Sequence, residues 1–180
     1  MPEGRPAIPA ELKRQVLVEA GHRCAVPTCR QYPVEIEHID DWAKVREHKF
    51  ENLIALCPTC HARKGNGPGQ IDRRALRMYK ANLAVLNSRY GDIERRLIEV
   101  AALRISQGAD LDGVFALGAG SDIAVWYLVR DGYLVRQPFA SPAIAGIGLT
   151  IPLVEVYRFT QAGIDFVRQW MAAQPLEAGG

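Results

Sequence analysis

The sequence predicts an α+β protein in three parts, and three observations carry that reading. Two cysteine pairs, Cys24/Cys29 and Cys57/Cys60, bracket a stretch with two short apolar runs. A cation-rich stretch of helical period follows, from about residue 70 to 105. Beyond it the chain becomes acidic, and short apolar runs alternate with glycine and proline breaks. At 180 residues with 48% hydrophobic content, the chain is long enough for two small domains. The expected boundaries are 1–69 for the cysteine unit, 70–105 for a basic helical linker and 106–180 for a C-terminal domain.

Pro9 suits the first turn of a helix, after which Leu12, Val16 and Ala20 recur on one face until Gly21 stops it. Pro33 precedes a β-like run from Val34 to Ile39, and Leu53 to Leu56 forms a second run ending at Cys57. Pro58 then opens a helical PTCHARK segment, closed by Gly65 and the flexible NGPGQ. The central order is therefore ββα. Asp72 is the expected N-cap of a helix to about Tyr90, with Leu76, Leu83 and Leu86 on one side and Arg73, Arg74, Arg77, Lys80 and Arg89 elsewhere. Asp92 is expected to cap the next helix, through Ile93, Leu97, Val100 and Leu103.

From 106 onward the reading is a short helix near Leu111 to Leu117 and a Ser121-capped helix to Arg130. A strand in DGYLVRQPF, a Gly-rich apolar loop, a strand in EVYRF and a helix from Thr160 to Met171 complete it. Two strands joined by a long loop after helices resemble winged-helix domains, in the way GYL closes a helix and YRFTQAG joins the last strand to the next.

The cysteine spacings, C-x4-C and C-x2-C, suit one tetrahedral zinc, because each short knuckle can turn two thiolates toward the same ion. MPEGRPAIPA lacks a signal-peptide core, so the cysteines are expected to meet a reducing cytoplasm, as zinc ligands rather than disulfides. The apolar run AIAGIGLTIPLV is too short and too broken to span a bilayer, so no membrane role is implied. Residues 1–105 hold 18 of the 22 Lys and Arg but only 13 of the 20 acids, a net of +5 against −3 for the remainder. A polyanionic partner would therefore bind the N-terminal part.

GHRCAVPTC, EIEHI and ENLIALCPTCHARK together resemble the HNH endonuclease family, in the subgroup whose ββα-metal fold carries a four-cysteine zinc. The resemblance covers about a third of the chain, from about Pro9 to Lys64. It implies His38 as general base, Asn52 as the residue that bonds the loop backbone and orients that base, and Glu37 and His61 as ligands of a catalytic divalent ion. Glu37 stands where Asp or His is more usual in the family, which leaves Mg²⁺, Mn²⁺ or a later transition ion open. Cys24, Cys29, Cys57 and Cys60 would hold a separate, coordinatively closed zinc that contributes folding energy alone.

The same residues can be read from chemistry. Phosphodiester hydrolysis needs an activated water and a cation to neutralise charge building on the phosphate. A neutral imidazole can take the proton from water if its other nitrogen is held. Glu37 and His38 are adjacent, so a regular strand would send them to opposite faces, and a bend is expected to bring both to one site. Lys44, Arg46, His48 and Lys49 between the strands, Arg63 and Lys64 after them, and Arg73, Arg74 and Arg77 on the basic helix are the candidate phosphate contacts. Trp42 either stacks on a base or anchors its loop.

The function expected is a metal-dependent endonuclease acting on DNA, such as a restriction or phage-defence effector. The alternatives are a zinc-dependent nucleic-acid-binding regulator without activity, and a subunit that only recruits others. The candidate winged helix carries one Arg against two Asp in SDIAVWYLVRDG. Residues 106–175 are therefore assigned to a protein partner or homodimer rather than to DNA.

Overall fold

Pro9 adopts extended backbone (φ −54°, ψ 141°) and offers its carbonyl to Lys13, so α1 (Ala10–Glu19) starts where a proline needs no N–H. Val16 and Ala20 are buried from this helix, and Gly21, at φ +61°, turns the chain into the first knuckle. The computed structural model describes residues 6–139, 143–146 and 149–177. These fall into two compact units: residues up to 87 with 170–176, and 88–169 with the residues after 176.

In the first unit, β1 (Glu35–His38) pairs antiparallel with β2 (Leu53–Leu56), from Glu35↔Leu56 to His38↔Leu53. The connection holds α2 (Trp42–Val45), which the sequence reading left as loop, and a 3-10 turn at Phe50–Asn52. Pro58 opens α3 (Pro58–Ala62), where Cys57 Sγ accepts from the Cys60 N–H at 3.4 Å. Then α4 (Arg73–Arg89) begins with Asp72 Oδ1 accepting from the Ala75 N–H at 2.7 Å. All four β2 residues are buried, packed with Val16, Ile39, Leu76 and Leu83 in one core.

Two features of this unit depart from the sequence reading. Lys80 does not lie on a solvated basic side. It is buried and ion-paired with Glu19 of α1, with its Nζ 3.5 Å from the centroid of the Phe50 ring. The segment 170–176 packs against α4: buried Asn82 donates to Gln174 O at 2.8 Å and accepts from the Leu176 N–H at 3.1 Å.

The second unit starts with α5 (Asp92–Ser106). Its cap is Gly91 rather than Asp92, because Glu94 reaches back to accept the Gly91 N–H at 2.8 Å. Next come β3 (Val114–Gly118), a 3-10 turn at Ser121–Val125 and α6 (Trp126–Arg130). Glu94 serves α6 too, its other oxygen accepting from the Tyr127 and Leu128 N–H groups at 2.8 and 3.1 Å. The chain continues through β4 (Leu134–Gln137), β5 (Ala143–Gly146), β6 (Leu149–Pro152), β7 (Val154–Phe159) and α7 (Gln161–Met171). One antiparallel sheet has the order β3-β7-β4, and β5 pairs with β6.

The helix expected near Leu111 to Leu117 is therefore strand β3. Val114 to Gly118 pair residue by residue with β7, and that long-range ladder outweighs local preference. The expected Gly-rich loop is largely the β5–β6 pair; its residues 140–142 and 147–148 lie outside the described residues. At the start of α7, Thr160 Oγ1 accepts from the Gly163 N–H at 3.0 Å. Gly163 also lets the Tyr133 carbonyl pack against this turn, since a Cβ there would lie 2.2 Å from Tyr133 O. Among the described residues, no helix is long and apolar enough to cross a membrane.

The Glu19–Lys80 pair gives a test of the first unit's energetics. Burial raises the Glu19 carboxyl and lowers the Lys80 ammonium, each partly offset by the other. Glu19→Ala alone is expected to destabilise by about 3 kcal/mol in urea unfolding, by leaving a buried cation unpaired. The double change Glu19→Leu with Lys80→Met should recover most of that loss.

Candidate functional site

Two knuckles far apart in sequence bring four thiols together. The Sγ atoms of Cys24, Cys29, Cys57 and Cys60 all lie within 4.8 Å of one another, and no disulfide joins them. Thiolates on one tetrahedral zinc, with bonds of about 2.3 Å, sit about 3.8 Å apart, so the cluster fits that ion. Burial pushes the Cys24 thiol up to about 11 and raises the Cys60 thiol as well. Those two become stable thiolates only around a cation. A zinc held by all four thiolates would be closed by protein ligands, with no position for a reacting water.

Cys60 is followed directly by His61, and α3 aims that imidazole at β1. Its Nδ1 lies 2.7 Å from Glu35 Oε2 and its Nε2 lies 3.2 Å from Glu37 Oε2. Glu35 and Glu37 are two residues apart on β1, so both carboxylates leave the same face of the strand. If Nδ1 donates its proton to Glu35, Nε2 turns a lone pair toward a carboxylate, which requires a proton or a metal ion between them. Two ligands at right angles on an ion with bonds of about 2.1 Å stand about 3 Å apart, close to the separation seen. Lys64 now supplies the positive charge: its Nζ lies 2.8 Å from Glu37 Oε1 and also donates to His38 O.

His38 leaves the other face of β1. No bend intervenes as the sequence reading expected, because the strand stays in register through His38↔Leu53. The side chain is buried, at 1% exposure, beneath Trp42 and His48. His38 Nε2 is 3.1 Å from His48 Nδ1, and the Trp42 ring stacks on His48 at 4.5 Å. Trp42 thus anchors its loop. Asn52 grips the chain just past β1, with Oδ1 accepting from the Asp40 N–H at 2.7 Å and Nδ2 donating to Asp40 O at 3.1 Å.

Of the candidate phosphate contacts, His48 is taken up by His38 and Pro6 O, and the others divide into two sets. Lys44, Arg46, Lys49, Arg63 and Arg74 are exposed, with Lys49 paired to Glu47 at 2.7 Å and Arg63 donating to Gly69 O. Lys64 and Arg73 both bond Asp41, while Arg77 holds both oxygens of Asp40 at 2.5 and 2.7 Å. The Arg77 guanidinium keeps the Asp40 carboxyl below its usual range. Sequence reasoning missed Glu35, although the spacing in EIEH places it beside Glu37. It also missed Asp40 and Asp41 as partners of the basic helix; nothing local in the sequence signals that pairing.

A scan against protein-family models matches residues 22–67 to HNH endonuclease. The matched segment contains all four cysteines, β1, Asn52 and α3. No curated protein and no solved structure matches the chain.

Elemental analysis of the purified protein is expected to find one zinc per chain. Because the ligands must lose protons to bind, zinc affinity should weaken as pH falls. Cys60→Ser should release the ion and unfold the N-terminal unit, read by far-UV circular dichroism. A folded, zinc-free variant would remove the structural role.

Proposed function

We propose that the HNH segment, residues 22–67, makes this protein an endonuclease that hydrolyses DNA phosphodiester bonds. In this reading a divalent cation is held by Glu37 and His61, and His38 is the general base. The observation that carries the proposal is the 3.2 Å approach of Glu37 Oε2 to His61 Nε2, on the residue next to His38 and inside the matched segment. Mg²⁺ or Mn²⁺ bound there would neutralise charge on the phosphate and on the departing oxygen.

The chain's own groups have these roles. His38 takes a proton from the water whose oxygen attacks phosphorus; the bond to the leaving oxygen breaks, and that oxygen regains a proton from solvent. Asn52 holds the backbone past β1, which fixes where His38 sits. Glu35 holds His61 through Nδ1 and leaves Nε2 for the cation. The covered His38 ring requires the Trp42–Lys49 segment to give way to the substrate, and Lys44, Arg46 and Lys49 are the cations on that segment that would meet phosphate. Lys64, Arg73 and Arg77 would contact it only by leaving their carboxylate partners.

The second unit is proposed as a winged-helix-like contact module for a protein partner or a second copy of the chain. Its order of helix, strand, helix, strand, hairpin, strand and helix supports that reading. So do the exposed apolar side chains of Ile123 (80%) and Trp126 (54%).

Plasmid nicking with added Mg²⁺ or Mn²⁺ tests the proposal. His38→Ala and Glu37→Ala are each expected to lower the rate by at least about 100-fold, with zinc content and circular dichroism unchanged. DNA binding without cleavage by the wild type, across both ions, would favour a nucleic-acid-binding regulator instead.

A further inference from the structure

We infer that the open edge of β3 is the docking site for an extended segment of a partner protein, one with apolar residues at its centre and Lys or Arg at its ends. Reading the second unit as a contact module is the premise, and β3 supplies that module's surface and the chemistry of its partner. β3 is an outer strand of the sheet β3-β7-β4, and among the described residues nothing pairs with its far side.

The direction of its backbone groups follows from one bond. The Ala119 N–H donates to Leu153 O at 3.1 Å, in the register that sets Phe115 against Tyr157 and Leu117 against Glu155. Antiparallel partners alternate between pairs that exchange hydrogen bonds and pairs that do not, so Phe115, Leu117 and Ala119 bond toward β7. Val114, Ala116 and Gly118 therefore turn their N–H and C=O groups away from the sheet, and these are the exposed residues of the strand. Natural sheet edges are commonly blunted by charge or proline. The opposite edge, β4, has Arg136 and ends just before Pro138, whereas VFALG in β3 has neither device.

Beside this edge lies a cavity of about 210 Å³, walled by Leu97, Val100 and Arg104 of α5 and by Val114, Phe115 and Phe159 of the sheet. It is smaller than the roughly 300 Å³ at which small-molecule sites begin, so it suits an apolar side chain of an added strand rather than a cofactor. Val100 and Val114 are 49% and 62% exposed, apolar surface that such a strand would cover.

Charge selects the occupant. Asp110, on the cavity wall, and Asp112 lie just before β3, and Asp122 follows it; all three are exposed and have no ion-pair partner among the described residues. Arg104 stands across the cavity on α5, while Arg158 is a strand further from the edge, on β7. A second copy paired antiparallel about Ala116 would set Asp110 opposite the other copy's Asp122, like charge against like. A segment that ends in Lys or Arg meets the aspartates instead.

The probe is a synthetic peptide, Arg-Lys-Val-Thr-Leu-Thr-Val-Lys-Arg, added to the zinc-loaded full chain. Fluorescence anisotropy should show binding that weakens at least about 10-fold when the peptide's cations are replaced by Glu, or when the protein carries Ala116→Pro. Proline there removes an N–H that faces away from β7, so the ladder and the circular dichroism should stay unchanged. Val100→Arg fills the cavity from an exposed helix position and should weaken binding equally, which keeps the test decisive if Ala116→Pro fails to fold. In amide hydrogen exchange, Phe115, Leu117 and Ala119 should be slow without peptide, and Val114, Ala116 and Gly118 should slow at least about 10-fold only with it. No binding by the wild type, equal binding by the variants, or a bound peptide that leaves those three amides unprotected would overturn the inference. Loss of binding in Trp126→Ala with the edge amides unprotected would also overturn it, while leaving the contact-module reading of the second unit standing.

Discussion

The fold of the N-terminal unit depends on four thiols that converge from two places about thirty residues apart in the chain. Strands of four residues and a helix of five cannot persist alone in water. The cluster ties Cys24 and Cys29, ahead of β1, to Cys57 and Cys60, at the junction of β2 and α3. Burial disfavours the thiolate at Cys24 and Cys60, so the charge needed to hold them has to come from an ion. His61 follows Cys60 without an intervening residue, and the position of its imidazole over β1 is a direct consequence.

Sidedness of one short strand organises the remaining chemistry. Glu35 and Glu37 share a face and meet His61, whereas His38 lies on the reverse, covered by Trp42 and His48. The carboxylates on and beyond β1 would repel one another if left alone. Lys64, Arg73 and Arg77 counter them, which couples the α4 side of the unit to the site electrostatically. A cation entering between Glu37 and His61 would compete with the Lys64 ammonium for the same carboxylate, so metal binding and the placement of Lys64 are linked.

Much of the site was legible because its signals are local. Cysteine spacing needs only short knuckles, and Pro58 after Cys57 announces a helix start; the alternation in EIEH was equally local, but an expected bend hid it and with it the place of Glu35. The burial of Lys80 was not legible, because an ammonium on an amphipathic helix looks solvated until Glu19 and Phe50 are placed beside it. The conversion of the Leu111–Leu117 region into a strand and the docking of Gln174 and Leu176 on Asn82 depend equally on partners distant in sequence.

By itself the sequence determined the α+β class, the ββα order and the thiol set, since each follows from composition, spacing or period. Only the tertiary structure decided which face each group occupies, that Glu35 joins His61, and that His48 and Pro6 stand behind His38. The physical reason is range: strand alternation and knuckle geometry act over a few residues. Hydrogen bonds between His48 and Pro6, 42 residues apart, exist only once the chain has closed on itself.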